Sequence, residues 1–331
     1  MFLKKIAFQI FVFIGIISIF STILASNCED DCDYPWPSEC ASYCANQGMA
    51  LTKRSFSNAL IYLAWRKGFF REAGLDTAVA YYGNSPAVIN KIVSPSERGP
   101  AFGLVDAKVA FRFIGAGYPV KSIMSIEEKL PYVLMGAKGI DIKELEGKKV
   151  AIPSYWAQKL AVKSALSKRG MNIYFQKDFQ EVNSALQAKN VDFGILPITK
   201  QHKLKELGII PLIPLSEFVP YYLATTIIIN EKYKDENREE FIKFLAAMLK
   251  ALDFFYENKQ GTIKIVGKEL APLGLGRKDL EVIYDFYKNN NIFKRDGIVT
   301  PEAFKFLQIK LKFENAIDLS YINEAKAKQK D

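Results

Sequence analysis

The sequence predicts an α/β fold in two lobes, each a mostly parallel sheet flanked by helices. Three observations lead there. Apolar, β-prone runs alternate with helical repeats along the chain, which is the pattern of βαβ units. The chain has 331 residues, 49% of them hydrophobic, enough for two separate cores. Two strand-rich stretches, near 124–134 and 216–224, read as places where the chain leaves one lobe and returns. The lobes are therefore expected to be discontinuous, 48–125 with 222–331 in one and 126–221 in the other.

The first 47 residues fall outside that pattern. Lys4 and Lys5 precede an apolar run from Ile6 to Leu24, and Ala25-Ser26 offers small residues for cleavage, so 1–26 reads as a signal peptide. The run is also about long enough to span a bilayer, which leaves an uncleaved anchor as the alternative. Either way the remainder is exported, to the periplasm. Cys28, Cys32, Cys40 and Cys44 follow in 27–47, each pair spaced to share a helix face, with Pro35 and Pro37 breaking the chain between them. A disulfide hairpin with nested Cys28–Cys44 and Cys32–Cys40 bonds suits an oxidising compartment. Four cysteines allow three pairings, and a four-thiolate metal site is the rival reading.

The body then reads in order. Gly48–Phe56 is a first strand, and Ser57-Asn58 caps a helix whose inner stripe is Leu60, Leu63, Ala64, Gly68 and Phe69. Gly74 stops that helix, Leu75–Tyr82 is a strand, and Gly83-Asn84-Ser85-Pro86 is turn chemistry. A helix at Pro86–Val93, a strand at Ala101–Asp106, a helix at Ala107–Phe113 and a strand at Pro119–Ile126 follow. Lys149–Ile152 is the next strand, before a helix with Leu160, Ala161, Ser164, Ala165 and Leu166 inward. After a helix at Asp178–Ala188, a turn at Asn190 leads into the strand Val191–Pro197. Ile209–Leu215 and Tyr221–Asn230 are the last strands, and Glu239–Asn258 is a long amphipathic helix followed by helices at Asp279–Lys288 and Pro301–Leu311.

In open α/β sheets ligands bind beyond the carboxyl ends of strands, near helix starts. That rule selects Ser57, Asn58, Asn84, Ser85 and Asp106 from the first lobe. From the second lobe and the return crossing it selects Ser154, Tyr155, Trp156, Tyr221 and Tyr222. The Trp156 indole can stack on a flat ring, and Ser154 beside a helix start can hold an oxyanion. Asp106 can bond an amino group of a heterocycle, or simply cap the next helix. Tyr221 and Tyr222 alternate on a strand, so one should face the cleft and the other the core.

Catalysis and nucleic-acid binding are disfavoured. The net charge of +9 comes from 45 basic and 36 acidic residues, with the lysines scattered in pairs instead of packed with aromatics. The single histidine, His202, lies in the charged run Lys200-Gln-His-Lys-Leu-Lys205. No Ser/His/Asp set, metal-ligand cluster, G-x-G-x-x-G or phosphate-binding loop occurs in the body of the chain. The expectation is a non-enzyme with no cofactor and no metal, a monomer whose partners are a small molecule and a membrane component.

Three segments carry a family resemblance: Leu60 to Asp76 (LIYLAWRKGFFREAGLD), Lys143 to Ala151 (KELEGKKVA) and Ala185 to Phe193 (ALQAKNVDF). They resemble signatures of the NMT1/THI5-like solute-binding proteins, the last with Asn190 where the family has Gly. The resemblance implies a type 2 periplasmic-binding-protein clamp that serves an ABC importer permease. The segment from Phe218 to Asn230 is similar to the crossing strand of the pyrimidine-binding branch. It implies a thiamine-type pyrimidine precursor, or a flavin, as ligand; an alkanesulfonate, taurine or nitrate receptor is the alternative. An interaction or sensor module anchored in the membrane, and a pyrimidine synthase, are the readings from other classes.

Overall fold

The computed structural model describes residues 47–94, 102–154 and 156–329. The expected signal peptide, the cysteine hairpin with Cys28, Cys32, Cys40 and Cys44, and Tyr155 lie outside those residues. No helix among the described residues is long and apolar enough to cross a membrane.

Among the described residues ten strands form two five-stranded sheets of the same design. The first contains β1 (Gln47–Leu51), β2 (Thr77–Tyr81), β3 (Phe102–Asp106), β4 (Val120–Glu127) and β10 (Thr225–Asn230), in the order β2-β1-β3-β10-β4. The second contains β5 (Tyr132–Ala137), β6 (Lys149–Pro153), β7 (Asn172–Gln176), β8 (Phe193–Pro197) and β9 (Ile209–Pro214), in the order β7-β6-β8-β5-β9. β1 pairs parallel with β2 and β3, and β6 with β7 and β8. β10 and β5 run antiparallel to both of their neighbours. These two are the strands that arrive from the other sheet, so each reversal marks a crossing. The mostly parallel α/β architecture expected from the alternation is what the chain forms.

Helices cover both faces of the first sheet. On one side lie α1 (Ala59–Arg66), α2 (Phe69–Glu72) and the long α8 (Arg238–Glu257), with α9 (Lys259–Leu270), α10 (Arg277–Asn289) and α11 (Ser320–Lys328) continuing that layer. α3 (Ser85–Val93) and α4 (Ala107–Gly115) cover the other side, where Val88, Ile89, Ile92, Ala110 and Phe111 are buried. The Phe244 ring of α8 stacks at 3.7 Å on Phe102 of β3 and at 5.0 Å on Phe70 of α2. Burial of such rings contributes about 1.5–3 kcal/mol each. In the second sheet α5 (Lys159–Ser167) buries Ala161, Val162 and Leu166, and α6 (Phe179–Gln187) buries Val182, Ala185 and Leu186. α7 (Gln201–Lys205) packs along β9.

Several boundaries differ from the sequence reading, each for a local reason. The first strand ends at Leu51, and a 3-10 turn at Phe56–Asn58 intervenes before α1. The expected single helix from 58 to 73 breaks at Gly68, whose φ of +80° belongs to the left-handed region that favours glycine. Gly74, at +75°, does end α2 as expected. Leu160 points to solvent at 53% exposure, because the inward stripe of α5 is Ala161, Val162 and Leu166. The turn before β8 places positive φ on Lys189 and not on Asn190. The strand expected from Tyr221 begins at Thr225, and 221–224 is an extended crossing.

Candidate functional site

The chain passes from β4 to β5 through 128–131 and returns from β9 to β10 through 215–224. The two crossings are bonded to each other: Tyr222 N–H donates to the Glu128 carbonyl at 3.1 Å and Ala224 N–H to that of Glu127 at 2.7 Å.

Glu127, the last residue of β4, lies fully buried beneath it. Its carboxylate accepts from Tyr287 Oη of α10 at 3.0 Å and from Thr225 Oγ1, the first residue of β10, at 3.0 Å. Ser57 and Tyr287 share a hydrogen bond at 3.3 Å. One carboxyl thus gathers the outgoing crossing, the returning strand, the C-terminal helical layer and the loop after β1. Burial pushes it up to about 7; its bonds from Ser57, Tyr287 and Thr225 pull it down, and the charge of Asp106 adds to the rise.

Asp106 ends β3 and caps α4, its Oδ1 accepting from Val109 N–H at 3.0 Å. Its Oδ2 accepts from Gln158 Nε2 at 2.5 Å. Gln158 follows β6, so this bond joins the two sheets directly. A second junction is the turn Ile198–Lys200 after β8, which packs against α10. Burial raises the Asp106 carboxyl, with the Val109 and Gln158 bonds and Lys108 opposing it.

Around this bridge three buried polar atoms have no hydrogen-bond partner among the described residues: Trp156 Nε1, Gln158 Oε1 and Tyr222 Oη. Burial raises the Tyr222 hydroxyl first, and the Asp106 charge raises it further, which places the phenol in the field of that carboxylate. The Trp156 ring lies 4.5 Å from Tyr132 and 5.8 Å from Phe179, and Tyr132 stacks on Phe179 at 5.5 Å. Three further orphans, the hydroxyls of Thr77, Ser125 and Thr262, sit on β2, β4 and α9. Buried polar groups left unpaired cost about 1–3 kcal/mol each, so a group of them beside one bridge needs an explanation.

The residues selected from sequence separate into two sets. Asp106, Trp156 and Tyr222 are brought to the junction between the sheets, and Ser57 to the Glu127 network beside it. Tyr221 is 51% exposed while Tyr222 is fully buried, so the two do point apart as their alternation requires. The others are occupied structurally. Asn58 does not cap α1; its amide donates to the Lys53 carbonyl at 2.7 Å and to Tyr62 Oη at 3.0 Å. The cap of the preceding turn is Ser55. Asn84 caps α3, accepting from Ala87 N–H at 2.9 Å, and Ser85 Oγ accepts from Asp106 N–H at 3.0 Å. Ser154 Oγ donates to the Lys177 carbonyl at 3.3 Å, and Lys159 Nζ donates to the Ser154 carbonyl. α5 begins at Lys159, three positions beyond Trp156 and five beyond Ser154, so the helix start on which an oxyanion role for Ser154 depended lies farther along the chain.

Sequence reasoning missed Glu127, Gln158, Thr225 and Tyr287. Glu127 ends an apolar strand in the same way as Asp106 ends its own, so the strand-end rule applied to β4 would have found it. Tyr287 gave no signal, since its partner is 160 positions away. Among the described residues no group of His, Cys, Asp and Glu could hold a metal ion. His202 Nδ1 bonds the Thr199 carbonyl at 2.9 Å within its own helical turn.

No curated protein sequence matches the chain. Solved structures do. The periplasmic sulfonate-binding protein SsuA from Methylobacillus flagellatus KT is 14% identical, covering 86% of this chain and 94% of its own, with a TM-score of 0.67. The ligand-binding component of an ABC-type import system from Staphylococcus aureus is 12% identical, covering 84% and 98%, with a TM-score of 0.64. The periplasmic aliphatic sulphonate binding protein SsuA from Escherichia coli is 15% identical, covering 86% of each chain, with a TM-score of 0.61. At these identities the likeness shows the fold, which is that of periplasmic binding proteins. The family model described as NMT1/THI5 like matches residues 55–262, more than half of the chain, and the chain belongs to that family.

Proposed function

We propose that this protein is the extracytoplasmic solute receptor of an ABC importer, gripping a small ligand between its two sheets and releasing it unchanged to a membrane permease. The lobes are 48–125 with 222–331 and 126–221, and they close about the paired crossings. Ligand that touches both lobes stabilises the closed arrangement, and closure is what the permease reads. The protein works in the periplasm as a monomer, with no chemical step, cofactor or metal. Cys28, Cys32, Cys40 and Cys44 form a disulfide hairpin ahead of the lobes.

One observation carries the reading. The Asp106–Gln158 bridge joins the sheets, while the flanking Trp156, Gln158 and Tyr222 keep buried polar atoms without partners among the described residues. A ligand held between the sheets would supply those partners. Family membership and the names of the import-system and SsuA neighbours support the same role. The aromatic group of Trp156, Tyr132 and Phe179 favours a flat heterocycle, a thiamine-type pyrimidine precursor or a flavin, as the ligand class. Ser57 and Asp106 from one lobe, and Trp156 and Tyr222 from the other lobe and the crossing, are the proposed contacts. Tyr155 beside Trp156 remains in that set. The second reading, an alkanesulfonate or nitrate receptor, rests on what the SsuA neighbours are named to bind.

A thermal-shift screen of the purified protein against pyrimidines, flavins, other vitamins and sulfonates tests the receptor role. A ligand confined to the native state at a hundred times its Kd adds about 2.7 kcal/mol, a rise of several degrees in Tm. No rise with any small molecule, or conversion of one into a new product, overturns it.

A further inference from the structure

α9 gives way to α10 at the turn 271–276, roughly 15 Å along α10 from Tyr287 and the Glu127 network. Ala271, Pro272 and Leu273 form a 3-10 turn, and Gly274, at a φ of +69°, reverses the chain. The turn reads Ala-Pro-Leu-Gly-Leu-Gly, six residues without one polar side chain. All of them except Leu275 are exposed, Leu273 at 44%. Turns that face water are ordinarily polar, and a run of exposed apolar residues is unfavourable unless something covers it.

A groove of about 610 Å³ lies beside the turn, with Ile263, Gly267 and Leu280 as its floor and Lys264, Lys268 and Arg277 on its rim. Gly267 lets the two helices close, since a Cβ there would stand 2.9 Å from Leu280 Cδ1. Lys264 and Lys268 are four residues apart and share one face of α9. The carboxylates of both helices are already engaged. Glu269 turns inward to Arg54 and Arg66, and Asp279 accepts from Gly276 N–H at 2.9 Å. Glu281 holds Arg277 at 3.1 Å, and Asp285 holds Lys259 at 2.6 Å. Arg277 also donates to Gln260 of α9. Lys264, Lys268 and Lys278 are exposed and have no hydrogen bond, ion pair or ring contact among the described residues.

Free ammonium groups around an exposed apolar turn complement a surface that is anionic outside and hydrocarbon beneath. A soluble anion would answer the lysines and leave Leu273 in water. An apolar protein surface would answer the turn and bury three unpaired charges. The turn is also small beside the roughly 20–30 residues a side of a specific protein interface. We propose that the α9–α10 corner docks on an anionic phospholipid bilayer, with Lys264, Lys268 and Lys278 meeting headgroup phosphates and Pro272 and Leu273 entering the acyl boundary. This contact is separate from the cleft and does not rest on what the cleft binds. Each lysine strengthens the attraction about 5-fold near such a surface.

Hydrogen–deuterium exchange of the full chain tests it, read at the amides of 271–278 with vesicles of phosphatidylcholine alone or with about 30% phosphatidylglycerol added. The readout is local, so insertion of the N-terminal segment into the same vesicles does not mask it. Anionic vesicles are expected to slow exchange there about 5-fold, and neutral ones to leave it unchanged. Salt at about 0.5 M should remove the slowing. The triple variant Lys264→Gln, Lys268→Gln, Lys278→Gln and the single variant Leu273→Ser should each abolish it with Tm unchanged, because all four side chains are exposed. Equal exchange with and without phosphatidylglycerol, or slowing that survives in either variant, overturns the proposal. Slowing by a soluble poly-glutamate peptide and by neither vesicle overturns it too, and assigns the corner to an acidic protein segment.

Discussion

The two sheets share one strand order and one antiparallel intruder each, yet the polar groups at their facing ends are treated in opposite ways. On the first sheet the groups beside the crossings are bonded to one another, although the Thr77 and Ser125 hydroxyls on its strands have no partner among the described residues. Glu127 is bonded by Tyr287 and Thr225, Ser57 by Tyr287, Asn58 by Tyr62, and Tyr62 by Tyr81 at 3.1 Å. Arg54 continues that network to Glu269 at 3.3 Å, and Arg66 meets the same carboxylate at 2.7 Å. Across the junction, Trp156, Gln158 and the crossing residue Tyr222 are buried with atoms unpaired. A satisfied network fixes one geometry, because any movement must break several bonds at once. Unpaired atoms lose nothing on movement and gain something when a third party arrives. On the proposed receptor role, the first sheet with its C-terminal helices would serve as the fixed jaw, and the second, with the returning crossing, as the side that meets the ligand.

The largest test of this contrast is at Glu127. Its folded carboxyl titrates near 7, above the ordinary glutamate value of 4.5, so the folded state binds its proton more tightly than the unfolded state. Its contribution to stability is therefore complete below about pH 4.5 and is lost as pH rises through 7. The difference amounts to about 3 kcal/mol between pH 4 and pH 8. Glu127→Gln removes the titration, and urea unfolding at pH 5, 6, 7 and 8 should give a visibly flatter profile than wild type. An unchanged slope would show that another group carries it and that the jaw is not organised on this carboxyl.

What could be read from sequence follows the same division. Strands with apolar runs ending in a polar residue, such as Phe102–Asp106, were legible because burial on both faces writes itself into composition. The edge strand Asn172–Gln176 was missed, for it is half-exposed, with Tyr174 and Phe175 open to solvent and lysines above their rings. α9 was missed because Gly261 and Gly267 interrupt a polar, lysine-rich run that is weakly amphipathic. In the site, Asp106 and Trp156 were found because strand ends are local features. The Gln158 bridge and the Tyr287 network depend on residues far apart in the chain, and no local pattern reports a bond across 52 or 160 positions.

A smaller effect sharpens the contrast with a matched pair of tyrosines. Both Tyr287 and Tyr222 are buried, and both hydroxyls are pushed well up by burial. Tyr287→Phe removes one donor from Glu127 Oε1 and one partner from Ser57, and should cost about 1–3 kcal/mol in urea or thermal unfolding. Retention of Tm within a degree would mean that the network is idle.

Tyr222→Phe is expected to do least to the empty protein. Its hydroxyl is buried without a partner, so removing it deletes no bond and relieves a desolvated group. The stability change should stay within about 0.5 kcal/mol, or favour the variant. On the proposed receptor role, the same change should weaken any ligand that stabilises wild type in the screen, because it removes the contact proposed for that hydroxyl. A variant that unfolds like Tyr287→Phe would mean that the Tyr222 hydroxyl is paired within the protein, and the division into a fixed and a waiting side would fail at its most exposed point. Thermal unfolding with and without ligand, on both variants, separates the two outcomes.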